Sequence, residues 1–177
     1  MPSSIVPPKY LNSNYDDIPK LLREKYEKLP ETRKGLYIHG GVGVGKTHAM
    51  YAMFKSDKPK GNYRKTVWNV TELLHEFRLD FDRENIDKTR SEERLMQFNG
   101  ILFLDDLGAE RITDWVQEKL YMIINKRYEQ MLPTIYTSNC TLEELAERVG
   151  DRIVSRIVES TNVFEMKGQD RRLMHNS

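Results

Sequence analysis

Cysteine is almost absent from this chain. Cys140 is the single one in 177 residues, which excludes an intrachain disulfide and argues against a structural zinc site. Long apolar runs are missing as well. No stretch approaches the roughly 20 residues that span a bilayer, and the first residues lack the apolar core of a signal peptide. Nor is there an excess of charge of either sign. Lys plus Arg number 28 against 27 for Asp plus Glu, so no global basic field announces nucleic acid, and any DNA contact has to rest on a local patch. Internal repeats and low-complexity tracts are lacking too. The exclusions leave a globular chain with a cytoplasmic address expected, of a length that suits one domain with a real core.

Glycine is concentrated where it matters. Gly40-Gly41-Val42-Gly43-Val44-Gly45-Lys46-Thr47 reads G-x-x-x-x-G-K-T, directly behind the apolar run Leu36-Tyr37-Ile38. A polyphosphate carries several negative charges, and a protein holds it by aiming many N–H dipoles and a cation at it. The glycines let the backbone close into a concave nest of N–H groups without Cβ collisions. Lys46 can reach the β/γ-phosphates, and the Thr47 hydroxyl can ligate Mg²⁺. Residues from His48 to Phe54 read as a helix whose N-terminal dipole adds to the site. Strand, loop and helix in that order make this a nucleotide-binding P-loop, with ATP/ADP and Mg²⁺ as the implied ligands.

Apolar and polar patterning places the remaining elements. Ile5-Val6-Pro7-Pro8-Lys9-Tyr10 reads as an extended arm, since adjacent prolines oppose helix. Asp17 is placed to cap a helix running to Leu29, and Pro30 and Gly35 bracket the turn into the first strand. Thr66 to Val70 reads as a second strand, followed by a helix capped by Thr71 and carrying Leu73, Leu74 and Phe77. Residues 80–93 hold many charges and read as a solvated helix or loop. Ile101-Leu102-Phe103-Leu104 is a continuous apolar run, as in a central parallel strand buried on both faces. Thr113 or Asp114 opens a long helix with Trp115, Val116, Leu120, Ile123 and Ile124 at helical spacing. Pro133 to Thr137 gives a fourth strand, Leu142–Val149 and Asp151–Ser160 two helices, and Asn162 to Met166 a fifth strand. Alternating strands and helices predict an α/β fold with a five-stranded, parallel, doubly wound sheet flanked by helices.

The ends of these strands supply the rest of a site. The third strand ends in Asp105-Asp106; strand-end carboxylates beside a P-loop complete a Mg²⁺ shell and polarise a water. By themselves they also read as a pair of solvated turn acids. Asp105 is expected to orient the metal's waters beside Thr47, and Asp106 to position water for attack on the γ-phosphate. Thr137-Ser138-Asn139 end the fourth strand, where a polar side chain can hydrogen-bond the attacking water or the γ-phosphate, and Asn139 has both a donor and an acceptor; Thr141 and Glu144 have the spacing of a capping box. Arg152 and Arg156 lie a turn apart on one helix. On composition alone they read as surface arginines paired with Glu159 or Asp151.

Together these residues resemble the helicase-loader branch of the AAA+ ATPases, the DnaC/DnaI loaders and the related IstB transposition ATPases. The resemblance runs from about Ile5 to Arg172 and is carried by Gly35 to His48, by Leu104-Asp105-Asp106-Leu107-Gly108-Ala109-Glu110, by Leu132 to Asn139 and by Gly150 to Ile157. It implies a P-loop NTPase fold of the AAA+, ASCE type with a minimal or absent C-terminal lid. Residues 1–30 become an N-terminal arm and helix packed on an ATPase domain of residues 31–177. It also implies that Gly40 to Thr47 is Walker A, with His48 at its edge, and that Asp105 and Asp106 are Walker B. Asn139 becomes sensor 1 and Arg156 an arginine acting in trans on a neighbour's nucleotide. Arg172, or less well Arg171, becomes sensor 2, and the arm ending at Tyr10 packs on the adenine. Gly41 stands where relatives often carry Pro. Loaders also usually carry an N-terminal helicase-gripping domain, so the chain is expected to be an isolated ATPase core or a compact relative.

Relatives of this kind bind single-stranded DNA. Phe81, with Arg78 and Arg83 beside it, and Trp115, with Arg111 near it, are the candidate contacts. A loop anchor and core packing, respectively, are the competing readings. The expected function is an ATPase of DNA replication that forms a homo-oligomer with ATP on single-stranded DNA and loads or remodels a replicative helicase. IstB-like regulation of transposition and a nucleotide-gated binding module with little turnover are the alternatives. A small-molecule P-loop kinase would need an acceptor pocket and an arginine-rich lid, and the sequence offers neither.

Overall fold

A computed structural model describes residues 6–82 and 91–168 of the chain, side chains at 81 and 82 excepted. The arm is not extended throughout. Pro8–Tyr10 form a 3₁₀ turn closed by Tyr10 N–H to Pro7 O at 2.8 Å, because proline's fixed φ suits a first helical turn as well as an extended arm. Asp17 does not cap the helix that follows. Asn14 accepts from Asp16 N–H at the head of a second 3₁₀ turn, Tyr15–Asp17, and helix α1 (Lys20–Glu27) begins behind Pro19. Pro30 sits in the first turn of a short α2 (Leu29–Thr32), and Arg33, at φ 56°, turns the chain into strand β1 (Gly35–His39).

Helix α3 (Lys46–Lys55) leaves the P-loop, and strand β2 (Lys65–Asn69) leads into α4 (Val70–Asp82). The cap of α4 is Asn69 rather than Thr71: its Oδ1 accepts from the N–H groups of Thr71 and Glu72 at 3.0 and 3.3 Å. Of the charged 80–93 stretch, the described ends are helical, in α4 and in α5 (Ser91–Met96). Strand β3 (Ile101–Asp105) precedes α6 (Asp114–Glu129), which Thr113 caps through Val116 N–H at 3.3 Å. Strand β4 (Thr134–Ser138), α7 (Leu142–Val149), α8 (Asp151–Ser160) and β5 (Thr161–Glu165) follow. The Thr141–Glu144 capping box is present in both directions.

The five strands are parallel in the order β2-β3-β4-β1-β5. Alternate residues of each strand supply opposite faces, as the period of two demands. Leu36, Ile38, Ile101, Phe103 and Ile135 pack with α1 and α3 on one side. Tyr37, Leu102, Leu104 and Tyr136 pack with α4, α6, α7 and α8 on the other. Ile101 to Leu104 are all 1% exposed or less, which explains why β3 reads as an unbroken apolar run. Among the described residues no helix follows β5 and none is long and apolar enough to cross a membrane.

Candidate active site

Because the strands are parallel, β1, β3 and β4 all end on the same edge of the sheet, and the polar residues just past their ends converge there. The P-loop closes tightly behind β1. Gly40 runs at φ 147°, and a Cβ on it would lie 2.2 Å from Met166 O. Gly43 and Gly45 hold φ of 80° and 103°, the left-handed region that glycine enters without strain. Val44 points away from the loop into the core. The resulting cleft, of about 640 Å³, is lined by Lys9, Tyr10, Val42, Gly43, Gly45 to His48, Asn69, Asp105, Asp106, Thr137 and Asn139.

Lys46 is 7% exposed and its ammonium is held by neutral oxygens: Gly40 O and Gly41 O at 2.7 Å each and Asn139 Oδ1 at 2.8 Å. A cation held by neutral acceptors at the mouth of an N–H nest can be redirected to an arriving phosphate. The Asn139 amide donates to Asp106 Oδ1 at 3.1 Å, so Asn139 joins the lysine to the second acid.

Asp105, at the tip of β3, is 8% exposed. Its Oδ1 accepts from Thr47 Oγ1 at 3.1 Å and from Thr137 Oγ1 at 2.5 Å. Burial pushes its carboxyl above the usual range, and the two hydroxyls and Lys46 oppose that rise only in part. A buried carboxylate beside a threonine hydroxyl is a hard-oxygen set that suits Mg²⁺, which takes one or two protein oxygens and completes its shell with phosphate and water. Among the described residues no cluster of three or more His, Cys, Asp or Glu side chains forms a separate metal site.

Asp106 stands at φ 62°, a left-handed conformation that Asp tolerates better than most residues. Its amide donates to Thr137 Oγ1 at 2.9 Å. The turn behind it is tied to the end of β4 by Leu107 N–H to Thr137 O at 2.9 Å and Ser138 Oγ to Leu107 O at 2.6 Å. Thr137 and Ser138 therefore position both acids and the turn behind them, a different task from the contact with water or γ-phosphate that their place at the end of the fourth strand suggests. Glu110 was missed in the sequence. It is 7% exposed and braces the turn by accepting from Gly108 N–H at 3.1 Å, and among the described residues its Oε1 has no partner. Burial raises its carboxyl.

At the other end of the cleft, Tyr10 stacks on Tyr51 with ring centroids 4.6 Å apart and meets His48 edge-on at 4.9 Å. The Tyr10 and Leu11 carbonyls accept from Lys55 Nζ, so the arm is clamped along α3. A planar base entering here meets aromatic rings.

Other predicted residues lie apart. Arg156 does not line the cleft of its own chain. It pairs with neither Glu159 nor Asp151: its Nε donates to Asn125 Oδ1 at 3.0 Å, and its guanidinium lies against Tyr121 and Tyr128. Arg78 belongs with Trp115, its guanidinium 4.8 Å from the indole centroid. Trp115 is half-buried at the margin of the α6 core, and Arg111 is exposed. The Phe81 side chain and Arg83, Arg171 and Arg172 lie outside the described residues.

The model of the IstB-like ATP-binding protein family matches residues 27–177. The replicative helicase loader DnaI of Bacillus subtilis (strain 168) is 28% identical over 152 residues, covering 78% of this chain and 48% of that protein. The chain spans about half the length of the curated relatives it matches. Among solved structures, the DnaC helicase loader superposes with a TM-score of 0.76 at 30% identity, covering 91% of this chain and all of that one. A replication initiator DnaA bound to AMPPCP and single-stranded DNA superposes at 0.74 with 22% identity over 93% of this chain and 52% of that one, a likeness of fold alone.

Proposed function

The chain belongs to the family of IstB-like ATP-binding proteins, and from that premise we propose that it hydrolyses ATP as a helicase loader of DNA replication. In this reading it assembles on single-stranded DNA and loads or remodels a replicative helicase. The observation that carries the hydrolytic part is the bonded chain Lys46–Asn139–Asp106 beside the pair Thr47–Asp105. It sets a phosphate cation, a hydrogen-bonding relay, an acid and a metal-ready oxygen pair around one cleft.

The residues divide the work as follows. The amides of Gly41 to Thr47 and the Lys46 ammonium bind the phosphates, and Tyr10 with His48 takes the adenine side. Thr47 and Asp105 would hold Mg²⁺, which when bound would supply charge neutralisation at the phosphates. Asp106 accepts the hydrogen bond that orients the attacking water, and Asn139 holds that water against the γ-phosphate. Arg156 of a neighbouring chain meets the charge that develops on the departing phosphoryl group, with Arg172 as sensor 2 from the same chain. Hydrolysis removes the γ-phosphate that joins two chains and so resets the assembly.

Likeness to the DnaI and DnaC loaders over most of the chain supports the helicase partner. The IstB-like family match supports a second reading, in which the same ATPase regulates transposition. Capture experiments separate them. The ATP-loaded chain on single-stranded DNA is expected to retain a hexameric replicative helicase and not a transposase. Retention of the transposase alone favours the second reading. Binding of ATP with negligible turnover in any assembly, with or without DNA, favours a nucleotide-gated module.

A further inference from the structure

We propose that Tyr121, Asn125 and Tyr128 form a cradle whose task is to aim the Arg156 guanidinium out of its own chain while leaving its charge unneutralised. The inference rests on the reading that Arg156 acts on a neighbour's nucleotide. The three cradle residues recur at spacings of four and three along α6, hence on one face of that helix, and α8 packs against it. Arg152 and Arg156, one turn apart on α8, meet that face.

The bonding of Arg156 is unusual in its choice of partners. Nε donates to Asn125 Oδ1 at 3.0 Å, and Nη1 donates to Ser155 Oγ at 3.2 Å and to Arg152 O at 3.4 Å. Both tyrosine ring centroids lie 5.7 Å from its central carbon. Every one of these partners is neutral. Of the carboxylates on the same pair of helices, Glu159 and Glu129 are each occupied by a neutral donor. Glu159 accepts from Tyr128 Oη at 2.6 Å, and Glu129 accepts from Asn125 Nδ2 at 2.9 Å. The second bond also fixes the amide, so that its oxygen faces the arginine. Among the described residues Arg156 makes no ion pair, and its Nη2 makes no hydrogen bond.

A merely structural surface arginine gains most from a carboxylate fork. A group meant to meet an arriving phosphate gains from the opposite arrangement. Its four side-chain torsions are ordered in advance by a hydrogen bond and two aromatic faces, and its positive charge remains available. Tyr121 serves both arginines, since Arg152 lies 4.7 Å over the same ring and donates to its hydroxyl at 3.0 Å. Asn125 is thus a positioning residue whose neutrality is the functional point.

Mixed full-length chains on single-stranded DNA test this. Lys46→Ala chains cannot fill their own cleft but still supply Arg156; Arg156→Ala chains offer an intact cleft without the arginine. A mixture of the two is expected to hydrolyse ATP where neither does alone. Asn125→Asp is then placed in one partner at a time, with Asn125→Ala as a second variant and melting curves confirming the fold. In the arginine-supplying chain each change is expected to lower turnover about ten-fold with KM for ATP little moved. In the cleft-supplying chain, whose residue 156 is alanine, the loss is expected to stay below about two-fold. Equal losses in both placements, or no loss in the arginine-supplying chain, would overturn the cradle. Failure of the starting mixture to hydrolyse ATP would remove the trans-acting arginine itself, and the cradle with it.

Discussion

Asn139 accepts a hydrogen bond from the Lys46 ammonium at 2.8 Å through its amide oxygen. The amide nitrogen of the same residue donates to Asp106 at 3.1 Å, so one neutral side chain separates the phosphate-binding cation from the water-orienting acid. A direct Lys46–Asp106 ion pair would tie both up. Asn139→Ala is expected to lower kcat by about one to two orders of magnitude while ATP affinity changes several-fold at most. Steady-state turnover and a nucleotide titration separate the two effects. A collapse of affinity with kcat unchanged would place Asn139 in binding alone.

Asp106→Asn is expected to reduce turnover by about 10²–10⁴ and to leave ATP affinity within a few-fold, giving a nucleotide-trapped chain. Lys46→Ala is expected to weaken ATP binding instead, by roughly a hundred-fold for the loss of a charge-assisted contact. Fluorescent-nucleotide titration of both variants reads the contrast. Asp106→Asn turnover near that of the unsubstituted chain would deny the acid its part.

Asp105 carries a cost in stability that its replacement reveals. Burial raises its folded-state carboxyl above the ordinary value of 3.8. Below that value both the folded and the unfolded chain hold the proton. As pH rises through the folded value, the folded chain releases the proton to solvent and keeps a charge in a buried site, and the stability contributed by the protonated form is lost. Asp105→Asn keeps an oxygen for Thr47 and Thr137 and removes the charge. At neutral pH and without Mg²⁺ it is expected to raise stability by about 1 kcal/mol, with the gain fading toward acid pH and Mg²⁺-dependent turnover abolished. Denaturant melts across the acid-to-neutral range check the sign; a variant less stable at neutral pH would contradict it.

Much of this was legible in the sequence because its signals are local. The apolar run at Ile101–Leu104, the glycine spacing of Gly40–Thr47 and the Thr141–Glu144 box depend on near neighbours along the chain, and the structure carries all three. What escaped depends on contacts between distant segments. Thr137 is a candidate on sequence, but its hold on Asp105 and on the Asp106 amide arises only because β4 lies beside β3. Asn69 displaces Thr71 as the α4 cap because its side chain folds forward over two N–H groups, a choice that propensity alone does not make. Arg78, beside Phe81 in sequence, meets Trp115, because α4 and α6 pack on one face of the sheet.

That last contact bears on DNA. An indole with a guanidinium on its face is a stacking platform with a cation attached. Arg78→Ala removes an exposed side chain and is expected to weaken single-stranded DNA binding about three- to ten-fold, and Trp115→Ala about ten-fold or more. ATP affinity is expected to be unchanged in both. Anisotropy titrations at two salt concentrations read both terms. Full DNA affinity in a folded Trp115→Ala chain would move the DNA surface elsewhere.

In the proposed mechanism each cleft is half of an active site, completed by Arg156 of a neighbour. ATP turnover per chain, measured against protein concentration with and without single-stranded DNA, tests it most directly. Turnover per chain is expected to rise steeply with concentration, and to do so at lower concentration when DNA is present. Turnover per chain that is flat from dilute to concentrated protein would contradict it.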